Sequence, residues 1–213
     1  MDYFLLWTAD VFSKKCQVQL QGSTTSDFSS GVTAVASTNL IDAPDDFSSA
    51  SWTKRGTAAV TANDTLAPDG SRTADKITGI VALGVDDIYQ QRDLMLPASN
   101  TYAPSVWIKR ISTIGVLSIA NPQNATNGEW RIDLSLLSDE WERLTESHAA
   151  VTVVAAFDTV LSASAGLHFY RYSGASALSF HAWRAAANAG ATAHPWLNGE
   201  TDEPFLTTVT ASD

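Results

Sequence analysis

The chain has 213 residues, 45% of them hydrophobic, with 13 Lys and Arg against 23 Asp and Glu for a formal charge of −10. That length and apolar content suit one sandwich domain plus an appendage, and the single Cys16 excludes an intrachain disulfide. The acidic balance excludes nucleic-acid binding as a main role, because phosphate neutralisation needs clustered Lys and Arg and the pairs Lys14-Lys15, Lys54-Arg55 and Lys109-Arg110 are isolated.

Met1 to Trp7 is apolar but lacks the basic start of a secretory signal, and its apolar run falls short of the ~7–15 residues such a segment needs. No window approaches the ~18 apolar residues of a membrane span, so the expectation is a soluble chain with no membrane insertion. Residues 11–21 end in the alternation Val18-Gln19-Leu20-Gln21, a period-two strand signal. Cys16 in this arm reads as a small buried apolar residue. Residues 22–38 are rich in Ser, Thr, Gly and Ala and read as a loop or linker. A free two-stranded arm is marginal in water, so the arm is expected to dock on a partner, a symmetry mate or a sandwich edge.

From Asn39 onward, short strand-like runs alternate with turn signals. Phe47 and Trp52, flanked by Ser, suit a loop that plugs the end of a sandwich. Ala67-Pro68-Asp69-Gly70 is a turn in which Pro sets φ at the second position and Asp and Gly tolerate the tight bend after it. Strands are predicted over 58–62, 73–80, 88–93, 102–110, 115–120, 129–134, 140–147, 150–157, 167–172 and 178–184. Turns at Asn121-Pro122-Gln123-Asn124, Asn127-Gly128 and Ser173-Gly174 separate several of them. By composition the Ala-rich run 184–193 allows a helical turn. The fold class is all-β.

Catalytic motifs are missing: there is no Gly-x-Ser-x-Gly, no His-Glu-x-x-His, no phosphate-cradling glycine loop and no Cys-x-x-Cys. The expectation is no enzyme activity. Glycosidase chemistry needs two carboxylates ~5–10 Å apart across a sugar site, and Asp139, Glu140 and Glu142 beside Trp141 read instead as solvated edge charges. His168 and His181 become a candidate metal pair if their strands are neighbours, though a third ligand is missing. Asp42, Asp45 and Asp46 are candidate calcium ligands, but that ion wants six to eight oxygens, and the competing reading has Asp45-Asp46 capping a short turn before Phe47. No other cofactor is expected.

The aromatic residues form the more interesting constellation. Strand side chains alternate, so Val106 and Ile108 share one face and Trp107 and Lys109 the other. Leu167 and Phe169 oppose His168, Tyr170 and Tyr172, and Leu178 and Phe180 oppose His181 and Trp183. If these strands share a sheet, Trp107, Lys109, His168, Tyr170, Tyr172, His181 and Trp183 form one face suited to sugar rings, which present apolar C–H faces and hydroxyl rims. The competing reading is that a loop, the N-terminal arm or an oligomer mate covers this face.

Order and spacing add a resemblance. Within 39–77 lie an Asn39-Leu40 opening, the Phe47…Trp52-Thr53-Lys54 block, the Ala67-Pro68-Asp69-Gly70 turn and the strand start Thr73-Ala74-Asp75-Lys76-Ile77. Further on come Tyr102-Ala103-Pro104-Ser105-Val106-Trp107-Ile108-Lys109, Glu140-Trp141-Glu142-Arg143-Leu144, Ser179-Phe180-His181-Ala182-Trp183 and Ala191-Thr192-Ala193-His194-Pro195-Trp196. This series resembles the carbohydrate-binding-module-like jelly-roll domain of tailed-bacteriophage virion proteins such as tail fibres, tailspikes and head fibres. Two departures stand out: Arg184-Ala185-Ala186 replaces the usual Gln-Leu-Glu, and His194-Pro195-Trp196 replaces Tyr-Ile-Pro.

The resemblance implies a concanavalin-like jelly-roll β-sandwich over 39–213, preceded by an anchoring β arm and linker over 1–38, and an extended course for the run 184–193. It implies a non-enzymatic virion structural protein, made in the host cytoplasm and exposed on the particle as a decoration, head-fibre or tail-associated protein. Its partners would be other capsid or tail proteins, contacted through the arm by strand addition, and two further copies in a homotrimer. Host-surface glycans are a further expected ligand. A dedicated tail adhesin is the alternative, and a polysaccharide depolymerase is the least favoured.

Overall fold

The computed structural model describes residues 4–9, 16–21, 39, 41–83, 85–93, 102–122, 128–157 and 164–189. The linker expected over 22–38, the turn residues Gln123, Asn124 and Asn127, and the 191–196 motif lie outside them. The chain divides into two compact units. The first holds an antiparallel hairpin of β1 (Phe4–Ala9) and β2 (Cys16–Gln21), with Trp7 opposite Val18 and Ala9 opposite Cys16.

The second unit, Leu40–Pro195, holds β3 (Thr53–Lys54), β4 (Ala59–Thr65), β5 (Ala74–Ile80), β6 (Ile88–Asp93), β7 (Tyr102–Arg110), β8 (Val116–Ala120), β9 (Glu129–Asp133), β10 (Glu142–Leu144), β11 (Val151–Ala155), β12 (Ser164–Ser173) and β13 (Leu178–Ala189). They form a five-stranded sheet, β10-β7-β13-β5-β4, and a six-stranded sheet, β11-β9-β8-β12-β6-β3. Every pairing is antiparallel. The chain changes sheet at β3–β4, β5–β6, β6–β7, β7–β8, β9–β10, β10–β11 and β12–β13. This is an all-β jelly-roll sandwich. Among the described residues the only helical element is a 3-10 turn at Leu134–Leu136, capped by Asp133.

Alternation places the core between the sheets. Val106 and Ile108 of β7, Ile77 and Ile80 of β5, and Leu178 and Phe180 of β13 face Leu117 and Ile119 of β8, Ile132 of β9, and Leu167 and Phe169 of β12, all fully buried. Each such side chain contributes roughly 1.5–3 kcal/mol of transfer free energy. Phe47 and Trp52 stack at 4.6 Å and meet Phe169 at 6.0 and 5.9 Å, so the loop before β3 plugs the sandwich as expected. Buried Asp75 ties that plug to the sheet: its carboxylate accepts from Phe47 N at 2.7 Å and from Asn63 N at 2.8 Å.

Irregularities re-aim several strands. On β13 the register shifts between Trp183 and Ala186, and Arg184 takes a positive φ of 47°. The extended reading of 184–193 therefore holds as far as Ala189, with a bulge in it. At Gly79, φ is +73° and a Cβ would stand 2.3 Å from Thr57 O, so only glycine fits. The strand predicted over 140–147 is shorter than expected, Glu142–Leu144. A turn succeeds it, with His148 N donating to Thr145 O and Val151 N to His148 O.

Candidate functional site

The seven aromatic and basic residues expected on one face occupy two. Trp107 and Lys109 (β7) and His181 and Trp183 (β13) lie on the five-stranded sheet, whereas His168, Tyr170 and Tyr172 belong to β12 of the six-stranded sheet. The turn between β12 and β13 carries the chain across the sandwich. Because both core-facing sets point inward, the two outward sets point to opposite sides. The same crossover separates His168 from His181, so they are not neighbours and form no metal pair.

On the six-stranded side, β6, β12, β8 and β9 bring Tyr89, His168, Tyr170, Ser118 and Glu129 together. Asp87, fully buried, receives Arg55 Nε at 2.6 Å and the neighbouring guanidinium nitrogen at 2.7 Å. His168 Nε2 lies 3.0 Å from the same carboxylate, and Arg55 stacks over Tyr89 at 4.7 Å. Burial holds the His168 imidazole below its usual pKa, against the opposing pull of Asp87. A second knot centres on Glu129, which accepts from Ser118 Oγ (3.0 Å), Tyr170 OH (3.1 Å) and Arg131 Nε (3.0 Å). Arg131 stacks 3.5 Å over the half-exposed Tyr172. Both carboxylates are saturated by the chain's own donors, which makes this side a closed, self-satisfied network.

The five-stranded side differs. Trp183 faces Trp107 across the β7–β13 pair with ring centroids 6.4 Å apart. Trp141, just before β10, packs with them against Ala67 and Ala74. It lies 6.3 Å from His181 and donates its indole N–H to Leu66 O at 2.9 Å. Trp183 is buried under the β4–β5 loop, donating to Thr73 Oγ1 at 3.1 Å, while Trp107 and Trp141 stay partly exposed. His181 Nε2 lies 2.8 Å from Asp64 Oδ2, and that contact holds the Asp64 carboxyl below its usual range. Two buried nitrogens here, Trp107 Nε1 and His181 Nδ1, have no hydrogen-bond partner. With Nε2–H directed at Asp64, His181 Nδ1 is an acceptor and Trp107 Nε1 a donor. A hydroxyl, which both accepts and donates, is a group that suits either atom.

Of the three aspartates considered for calcium, two have their carboxylates engaged within the chain. Asp46 Oδ1 accepts from Ser48 N at 2.9 Å and Ser49 N at 3.1 Å, a turn cap. Asp45 lies 3.4 Å from Arg184 Nε, and the backbone of Asp42 brackets the Gln90 amide, donating to Oε1 and accepting from Nε2. Among the described residues, no group of three or more His, Cys, Asp or Glu could hold a metal. Asp139 pairs with Arg110 at 2.9 Å and Glu142 with His148 at 3.0 Å, consistent with edge charges. Sequence reasoning did not place Trp141, Tyr89, Arg55, Asp87, Glu129 or Arg131 in either cluster. Trp141 carried a signal, standing in the motif shared with the resembled family, but the others meet only through sheet register.

No family model and no curated protein matches the chain. Three solved structures are similar. One is the enzymatically active domain of tailspike protein 4 from bacteriophage CBA120 (15% identity, TM-score 0.46, covering 71% of this chain and 21% of that one). Another comprises the CBM22-1 and GH10 modules of Clostridium thermocellum endo-1,4-β-D-xylanase 10B complexed with xylohexaose (16%, 0.43, 76% and 30%). The third is the family 11 carbohydrate-binding module of C. thermocellum complexed with a β-1,3-1,4-mixed-linked tetrasaccharide (13%, 0.41, 76% and 100%). The chain spans less than a third of the first two. Likeness at this level concerns fold alone and carries no ligand, activity or partner to this chain.

Proposed function

We propose that this chain is a non-enzymatic, surface-exposed structural protein of a bacteriophage particle whose sandwich holds a glycan on the outer face of its five-stranded sheet. One observation carries the glycan reading. The partly buried Trp107–Trp141 platform lies beside an unsatisfied donor at Trp107 Nε1 and an unsatisfied acceptor at His181 Nδ1, both enclosed beneath it. Unpaired buried polar atoms are rare in folded proteins and call for an explanation. A ring that stacks on indole supplies one, once a shift of the neighbouring side chains opens these nitrogens to its hydroxyls. The particle context rests on the sequence resemblance, and with it the anchoring role of the N-terminal arm and the homotrimer. A dedicated tail adhesin remains the second reading, favoured by the same platform.

The test is glycan binding by the full chain, measured by calorimetry against host-surface polysaccharide fragments, for the wild type and Trp107→Phe. Phenylalanine keeps an aromatic face and removes the N–H. The expected result is saturable binding that the substitution weakens about tenfold, the scale of one lost hydrogen bond in a desolvated site. Equal affinity in both proteins would sink this placement of the site. Release of reducing ends during the incubation would convert the reading to a depolymerase.

A further inference from the structure

We propose that the Trp107 platform selects an acidic sugar, one carrying a carboxylate such as a uronate, over a neutral one. The inference rests on the glycan-binding reading above and names the class of ligand for that site. Its basis is cross-strand register. Lys76 of β5 pairs with His181 of β13, and His181 pairs on its other side with Lys109 of β7. Three basic side chains therefore stand in one line across adjacent strands, all on the outer face. Trp183, Trp107 and Arg143 form the parallel line two residues along, Trp107 pairing with both of the others. Only 13 residues of this chain are Lys or Arg, against 23 Asp or Glu, yet three of them and a histidine gather around one aromatic platform.

Lys76 and Lys109 carry like charge on the same outer face, one strand apart, so their repulsion costs stability unless anions offset it. The chain offsets it incompletely. Asp64 is committed to His181. Glu140 reaches Lys109 only at 3.9 Å, and its side chain is 84% exposed. A solvent-screened pair of that kind contributes little, and it yields readily to a ligand carboxylate. Trp107 sits between Lys109, two residues along its own strand, and Arg143, its partner on β10. A ring stacked on Trp107 thus has cationic groups on two adjacent sides, Lys109 along the strand and Arg143 across it, and a carboxylate substituent on that ring meets them at the rim. On the six-stranded side, Arg55 and Arg131 beside the aromatic residues are each engaged by a carboxylate of their own.

The test measures binding of the full chain to matched neutral and uronate-bearing oligosaccharides at about 50 and about 500 mM salt. It is repeated with the Lys76→Met/Lys109→Met double variant, in which both stems and the fold are kept. The expected result is at least ~10-fold preference for the acidic series in the wild type, weakening with salt and lost in the double variant. Equal binding of both series, or an unchanged preference in the double variant, overturns the acidic-sugar assignment while leaving glycan binding in place. Absence of binding to either series overturns the glycan reading itself, and this inference with it.

Discussion

Trp107 and Trp183 stand opposite each other on β7 and β13, but their indole nitrogens have different fates. Trp183 donates to Thr73 Oγ1, whereas Trp107 Nε1 is buried without an acceptor. An unsatisfied buried donor lowers stability and a satisfied one does not. Trp183→Phe removes a made hydrogen bond, leaves Thr73 without that donor and opens space under the β4–β5 loop. Trp107→Phe removes only a penalty and part of a partly buried ring. The expected outcome in urea unfolding is that Trp183→Phe is the more destabilising of the two by at least ~1 kcal/mol. The reverse order would mean that Trp107 Nε1 is paired in solution.

His168 makes stability depend on pH. Its folded pKa is lowered, chiefly by burial, with Arg55 pushing the same way and Asp87 opposing. The unfolded chain, with an ordinary imidazole near pH ~6.5, therefore binds a proton before the folded one does. Stability is fully present above that value and falls as pH drops below it towards the folded pKa. Thermal unfolding between about pH 8 and pH 5 should show Tm falling below pH ~6.5 in the wild type. The fall should be shallower in His168→Gln, and identical slopes would rule the imidazole out as its source.

Arg55 and Asp87 hold β3 against β6. The carboxylate is fully buried while about a third of the Arg55 side chain is exposed. Arg55→Met takes the guanidinium away from a buried carboxylate that His168 also contacts. The expected loss is below the ~3–5 kcal/mol of a fully buried pair broken on one side, because solvent already screens the arginine. Asp87→Asn/Arg55→Met should recover part of that loss, since the buried charge is gone. A double variant no more stable than the single one would show that the guanidinium acts by packing on Tyr89 rather than by charge.

How much of this was legible in the sequence depends on the scale of the feature. Alternation along β7, β12 and β13 correctly separated Val106, Ile108, Leu167, Phe169, Leu178 and Phe180 from their outward neighbours, because the period-two rule is local to one strand. The plug of Phe47 and Trp52 was also legible, as two large apolar residues in an otherwise polar loop. The sheet to which each strand belongs was not, because periodicity carries no information about the chain crossing at 174–177. That is why His168, Tyr170 and Tyr172 were grouped with Trp107 and Trp183. The row Lys76–His181–Lys109 was invisible for the same reason, as its members are far apart in the chain and meet only through register.

Gly79 tests the packing of the β4–β5 edge. Its φ of +73° lies in the left-handed region, and a Cβ would meet Thr57 O at 2.3 Å, which is backbone and cannot swing aside. The Thr57 segment is itself pinned, since Thr57 N and Oγ1 both donate to Asp86 Oδ1. Gly79→Ala must therefore either strain the backbone or push the 55–58 turn away from Asp86. The expected cost exceeds ~1 kcal/mol, the usual limit of the entropic gain when alanine replaces glycine at a compatible site. Urea unfolding of Gly79→Ala beside Gly70→Ala separates the two contributions. Gly70 also has a positive φ, +83°, but nothing lies within 4 Å of its Cβ position, so it reports backbone strain alone. A larger loss at Gly79 would measure the clash with Thr57 O, and equal losses would show that the 55–58 turn moves at no cost.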